Sequence, residues 1–318
     1  MTDETASQPH EPATPDHRAW SRRTLLTYGL GGAAAVLVAG VTGVELVSHG
    51  VLPGKQSLDQ FDGACSVTTS LEFSEPGPSR SGTFYSTARQ RPVGYTIAYP
   101  PGHGPGSVLP LVVMLHGFGA NHTTALAGMT PAQAVALKLD GNSLAPMAMV
   151  TVDGGGGYWN PHPGDDPVAM VIDELIPMCQ ALGLGRAPQH VGMMGISMGG
   201  YGALLLAEKH PHLISAVAAI SPAIWTSYSE AHGANPGAFS SAAAFSASNV
   251  IDHAGTLVAT PTRVASGDDD PFHPGVEAFG RAAPPRVVVE FSGGCHTDPF
   301  FTSQEPLSVS FLADHLTG

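Results

Sequence analysis

Apolar positions along the chain gather in runs over 109–115, 147–153, 191–196 and 214–220, and strand-like segments that also hold charged residues follow at 262–266 and 286–291. A run with no polar alternation is expected of a strand covered on both faces, as in a parallel sheet. Two earlier stretches, 82–88 and 91–99, alternate apolar with polar instead, as an antiparallel edge pair would, and Pro100 and Pro101 end the second. Between the runs, apolar residues recur at helical spacing over 124–139, over 168–182 and from Ala203 to Lys209, which predicts connecting helices. Strands alternating with helices give an α/β protein with a mostly parallel central sheet and helices on both faces.

The run at 191–196 leads through Gly195-Ile196-Ser197-Met198-Gly199 straight into a helical pattern. So short a connection forces a sharp turn, and only small residues two positions either side of the serine let the backbones pass. Ser197 is then exposed at the top of the sheet as a nucleophile elbow. A serine hydroxyl is nearly inert at neutral pH unless a base takes its proton, so a histidine and a group to orient it are required. His296 lies on the glycine-rich loop Ser292-Gly-Gly-Cys-His296 just beyond the last strand, placed to swing back over the sheet, and is read as the base. Asp270, in Gly267-Asp-Asp-Asp-Pro-Phe272 after the 262–266 strand, is chosen over Asp268 and Asp269 as the orienting acid.

The 109–115 strand ends in His116-Gly117-Phe118-Gly119, beside the strand end where Ser197 emerges. The backbone N–H groups of Phe118 and Met198 are therefore expected to form the oxyanion hole, with Gly117 allowing close approach of a substrate. His116 is read as a structural histidine that hydrogen-bonds its loop. The glycines 154–157 suggest a loop folded over the cleft, with Tyr158 and Trp159 lining it; packing against the core is the competing reading. Asp173 and Glu174 are read as a solvated helix face. The aromatics Trp225, Tyr228, Phe239 and Phe245 belong to a cap over the cleft or to a small local core.

Charge and cysteine content narrow the picture. Of the 318 residues only 12% are charged and the formal net charge is -13, so the basic footprint of a nucleic-acid binder is absent. No His-Glu-x-x-His or zinc-like cysteine spacing occurs, and no metal or cofactor is expected. Residues 1–48 combine a polar, proline-bearing start with Ser21-Arg22-Arg23-Thr24-Leu25-Leu26 and an uncharged run to Val44, which resembles a twin-arginine export signal. Export to the cell envelope or beyond is expected, with membrane contact only through residues 25–44 if that segment is not cleaved. A linker over 49–80 and one catalytic domain over 81–318 follow. Export would let two of the three cysteines pair, and Cys65 with Cys295 is the expected pair, because Cys179 sits in an apolar helical stretch that favours a free, buried thiol.

The order Ser197, Asp270, His296, each directly after a strand, is that of the α/β-hydrolase fold. Ser197-Met-Gly-Gly-Tyr-Gly-Ala203, Leu115-His-Gly-Phe-Gly119, the Gly-x-x-Asp-Pro-Phe segment and the closing Gly-x-His loop resemble, more narrowly, the putative-esterase group of that fold. It includes esterase D (S-formylglutathione hydrolase), ferric-enterobactin esterases and secreted mycolyltransferases. The resemblance spans about 82–316. It implies a serine esterase acting on a small-molecule or lipid ester through an acyl-enzyme. Two alternatives stand beside this: an exported acyltransferase with the same triad, and a non-catalytic envelope binding protein of the same fold.

Overall fold

The computed structural model describes residues 65–188 and 190–317. The twin-arginine-like segment, its apolar run and residues 49–64 of the expected linker lie outside the described residues. The strands are β1 (Glu72–Phe73), β2 (Ser79–Ser86), β3 (Arg91–Ala98), β4 (Leu111–Leu115), β5 (Leu137–Leu139), β6 (Asn142–Ser143), β7 (Ala148–Val152), β8 (Val191–Ile196), β9 (Ile214–Ile220), β10 (Thr262–Gly267) and β11 (Val287–Ser292). The helices are α1 (Pro131–Ala134), α2 (167–181), α3 (Met198–Lys209), α4 (Tyr228–Ala234), α5 (Ala242–Ala247), α6 (Val250–His253), α7 (His273–Ala282) and α8 (Asp298–Leu316).

Eight strands make one sheet in the order β11-β10-β9-β8-β4-β7-β3-β2, parallel except where β3 meets β7 and β2 meets β3. In β4, Val113 and Leu115 enter the core under α2 and α3, while Val112 and Met114 enter the core under α8. Burial on both faces is why this strand shows no alternation in sequence. β8 lies between β4 and β9, so the chain ends of β4, β8 and β10 open on the same side of the sheet, where the loops carrying Gly117, Ser197 and Asp270 begin.

The helix expected over 124–139 is not there. Pro131 holds Thr130 in an extended conformation (φ -81°, ψ 161°), where Thr130 caps the single turn of α1, and the chain then runs into β5. Leu126, Met129, Ala134 and Leu137 are buried all the same, so their spacing reported burial along a folded loop and not a helix. The 168–182 helix forms but is not regular. Pro177 cannot donate an N–H, and the segment Met170–Leu175 ahead of it widens into π geometry, with the Ile176 N–H reaching Val171 O. Glu174, read as solvated, instead accepts the Ser86 hydroxyl (2.5 Å) and the Thr87 and Ala88 N–H groups (2.8 and 3.0 Å), which ties the β2–β3 turn to α2.

The linker boundary at residue 80 also needs correction. Cys65 is bonded to Cys295, β1 pairs with β5, and Val67, Leu71 and Phe73 pack on the core under α8, so residues 65–80 are part of the folded body. Apolar residues at irregular spacing carried too weak a signal against the surrounding Ser, Gly and Pro. Cys179 is free and buried, and burial pushes its thiol up to about 12.

Candidate active site

Ser197 joins β8 to α3 with φ 56° and ψ -119°, a region that non-glycine residues rarely enter. The turn is held by the Ser197 N–H on Ile220 O (2.9 Å) and by Ser197 O, which accepts from the Tyr201 and Ala223 N–H groups (both 3.0 Å). A Cβ on Gly195 would run into the Gly199 backbone, and one on Gly199 would run into the Leu115 carbonyl. Those two glycines are therefore sterically required for the elbow to pass between β4 and α3.

His296 and Asp270 arrive on loops stitched to each other. Asp268 N–H donates to Ser292 O (2.9 Å) and Asp269 N–H to Gly294 O (3.0 Å), which sets the loop after β10 against the loop after β11. His296 Nε2 lies 2.8 Å from Ser197 Oγ, and its Nδ1 lies 2.9 Å from Asp270 Oδ2. An ionised carboxylate only accepts, so Nδ1 carries the proton and Nε2 is left to accept from the serine. The other oxygen of Asp270 accepts the Phe272 N–H (2.8 Å), and its side chain is wholly buried. Phe301 stands edge-on to the imidazole at 5.0 Å and Phe272 flanks it at 5.1 Å, restricting ring rotation. Of the neighbouring carboxylates, Asp268 is exposed and Asp269 half-buried.

Ser197 and His296 open onto a cleft of about 680 Å³, lined also by Gly117, Phe118, Leu126 and Phe301. A Cβ on Gly117 would come within 3.6 Å of the Ser197 Cβ, so this residue faces Ser197 directly. Met198 is the first residue of α3, where a backbone N–H has no intrahelical acceptor. Neither it nor the Phe118 N–H has a protein acceptor among the described residues.

His116 is buried next to this site without reaching it. Its Nε2 accepts the Gly154 N–H (2.9 Å) and its Nδ1 donates to Gly117 O (2.7 Å), a pairing that only the neutral ring can make. Burial lowers its pKa accordingly. The imidazole thus sets the height of the Gly117 backbone beside Ser197.

Tyr158 and Trp159, expected to line the cleft, do not. Trp159 is fully buried, its ring filling the space left by the missing side chains of Gly154 and Gly202 and its Nε1 donating to His116 O (3.3 Å). Tyr158 packs on Trp225 at 4.6 Å and near Tyr201 and Phe239, and burial raises its pKa. With Phe245 these rings belong to the large core under α2 and α3, so the 223–254 aromatics form neither a cap over the cleft nor a separate small core. What the sequence reading missed is α8, which brings Asp298 and Phe301 to the cleft. The apolar spacing of Phe301, Val309, Leu312 and Leu316 is the signal that could have found it. Among the described residues no group of three metal-ligating side chains gathers anywhere.

A family model described as "Putative esterase" matches residues 86–273. Among solved structures, a ferulic acid esterase superposes with a TM-score of 0.63 at 20% identity, covering 77% of this chain and all (100%) of that one. An S-formylglutathione hydrolase from Agrobacterium tumefaciens gives 0.61 at 17% identity, with 78% and 98% covered. MPT51 of Mycobacterium tuberculosis gives 0.58 at 18% identity, with 76% and 99% covered. At these identities the likeness is one of fold. No curated protein matches the chain.

Proposed function

Because the chain belongs to the Putative esterase family of α/β-hydrolases, matched over residues 86–273, we propose that it is an exported serine esterase working through Ser197, His296 and Asp270. Membership makes it an enzyme of acyl chemistry, an ester hydrolase or an acyltransferase. The observation that carries the finer reading is the unbroken chain of hydrogen bonds from Ser197 Oγ through the imidazole to the buried Asp270, at 2.8 and 2.9 Å.

In this reading His296 Nε2 takes the hydroxyl proton as Oγ bonds to the ester carbonyl carbon. The carbonyl oxygen becomes an oxyanion, stabilised by the Phe118 and Met198 N–H groups. When the tetrahedral adduct collapses, the C–O bond to the alcohol breaks and Nε2–H protonates the leaving oxygen. Water, deprotonated by the same nitrogen, then attacks the acyl-enzyme and releases the acid. Phe118 and Asp298 are exposed at the cleft, so water can reach an acyl group held on Ser197. Export by the twin-arginine route is part of the proposal. The Cys65–Cys295 bond supports it, since disulfides persist in oxidising compartments.

The test is labelling with a fluorophosphonate probe and turnover of p-nitrophenyl acetate. Wild-type protein should be labelled on Ser197 and Ser197→Ala should lose both signals, with kcat down by about 10⁶. Turnover by Ser197→Ala at the wild-type rate would discard the mechanism. Ester product in the presence of an acceptor alcohol, in place of free acid alone, would move the assignment to acyl transfer.

A further inference from the structure

Residues 120–129 form much of one wall of the cleft, yet they belong to no helix or strand. Asn121 accepts the Thr123 and Thr124 N–H groups within the segment, and backbone donors left without such a partner must be met from elsewhere. Near its start, His122 is fixed by β7 and the residue after it: its N–H donates to Asp153 Oδ1 (2.8 Å) and its carbonyl accepts from Thr151 Oγ1 (2.5 Å). Near its end the anchor is Glu305, which has no solvent exposure and accepts the Ala127 N–H (2.6 Å) and the Gly128 N–H (3.1 Å) through its two oxygens. The cleft-lining stretch 123–127 hangs between these two anchors.

Glu305 stands on α8, and the spacing of Asp298, Phe301, Thr302 and Glu305 puts all four on one face. Asp298 and Phe301 reach the cleft, Phe301 meets His296, and Gly128 sits so close to Thr302 that a Cβ there would overlap its side chain. Burying a carboxylate is unfavourable, and here burial pushes Glu305 up to about 7 in spite of its two N–H partners. An apolar side chain would suit the core better unless the loop donors had no other acceptor.

We infer that Glu305 is a positioning residue that determines which esters fit, by holding 123–127 at a fixed distance from Ser197. This rests on the reading of Ser197 as nucleophile. The wall it holds carries Thr123, Thr124, Ala125 and Leu126, the cleft is lined further by Ile196, Phe301 and Asp298, and no lysine or arginine is among the lining residues. The ester substituent lying along that wall therefore carries no negative charge, and its alkyl part meets Ala125, Leu126, Ile196 and Phe301.

The experiment compares kcat and KM over p-nitrophenyl esters from acetate to octanoate for wild type, Glu305→Gln and Glu305→Asp, with amide hydrogen exchange at Ala127 and Gly128. Glu305→Gln puts an amino group against a backbone N–H, while Glu305→Asp keeps the charge and shortens its reach. Both should leave kcat for acetate within about twofold, raise KM for octanoate about tenfold and speed exchange at the two amides. A wild-type chain-length profile in a folded variant overturns the inference. So does failure of both variants to fold, which would make Glu305 a residue of the core and not of the cleft. If the nucleophile reading were the part at fault, wild-type turnover itself would not depend on Ser197, while exchange at 127 and 128 would still report the clamp.

Discussion

Cys295, bonded to Cys65, is the residue immediately before His296, whose Nε2 meets the Ser197 hydroxyl at 2.8 Å. A covalent tie to the first of the described residues thus lies one peptide unit from the proposed base. On the chain-entropy account a bridge closing so long a loop stabilises by ~5 kcal/mol. Cys65→Ser, or reduction, should lower the unfolding midpoint and reduce kcat/KM for acetate at temperatures where the fold persists. Native alkylation followed by intact-mass measurement checks the assignment: Cys65 and Cys295 should label only after reduction, and buried Cys179 only after unfolding. Activity unchanged after verified reduction would show that the His296 loop holds its place without the bridge.

Asp270 and Asp268 lie two residues apart and should behave very differently. Asp270→Asn leaves an amide that can donate to Nδ1, favouring the tautomer whose Nε2 carries the proton, and kcat should fall by about 10⁴. Asp268 engages through its backbone N–H, not its side chain, and Asp268→Asn should stay near wild type. Steady-state kinetics on the two variants decides, and equal losses would reject Asp270 as the orienting acid.

Trp159 and Phe118 make the corresponding contrast between core and cleft. Trp159→Ala removes a fully buried ring and should destabilise by about 3–5 kcal/mol, read as a shift in the urea midpoint. Phe118 is 63% exposed at the cleft, so Phe118→Ala should alter KM while stability stays within about 0.5 kcal/mol.

Glu208 gives the protein a pH signature unrelated to catalysis. Both its carboxylate oxygens are buried without a partner among the described residues, and burial pushes its pKa from 4.5 up to about 9. The native state therefore keeps a proton that the unfolded chain releases between those values, and ∂ΔG/∂pH is negative there. This contribution is complete below about pH 4.5 and is lost as pH rises toward 9. Glu208→Gln should flatten the decline in thermal midpoint over that range. An unchanged slope would mean that Glu208 is ionised and paired in solution.

Residues whose placement depends on neighbours in the chain could be read without coordinates. Ser197, Asp270 and His296 each come after a strand legible in the sequence, and the Gly195 and Gly199 spacing admits few turns other than the one observed. Spacing failed where burial did not come from a helix: along 124–139 the apolar residues face the core from a loop that Pro131 keeps out of helical form. It failed again at Trp159, because nothing local says that Gly154 and Gly202 leave a slot for its ring.

The amino-acid order alone therefore settled the strand-turn-helix grammar, the layered α/β architecture and the residue types offered at each strand end, since these follow from hard-sphere limits and from side-chain period over a few residues. Contacts between distant residues were decided only by the folded chain. Glu305 reaching Ala127, Cys65 joining Cys295 and Trp159 filling the space beside Gly202 depend on how two cores pack against one sheet, a sum over many weak contacts that no short stretch encodes.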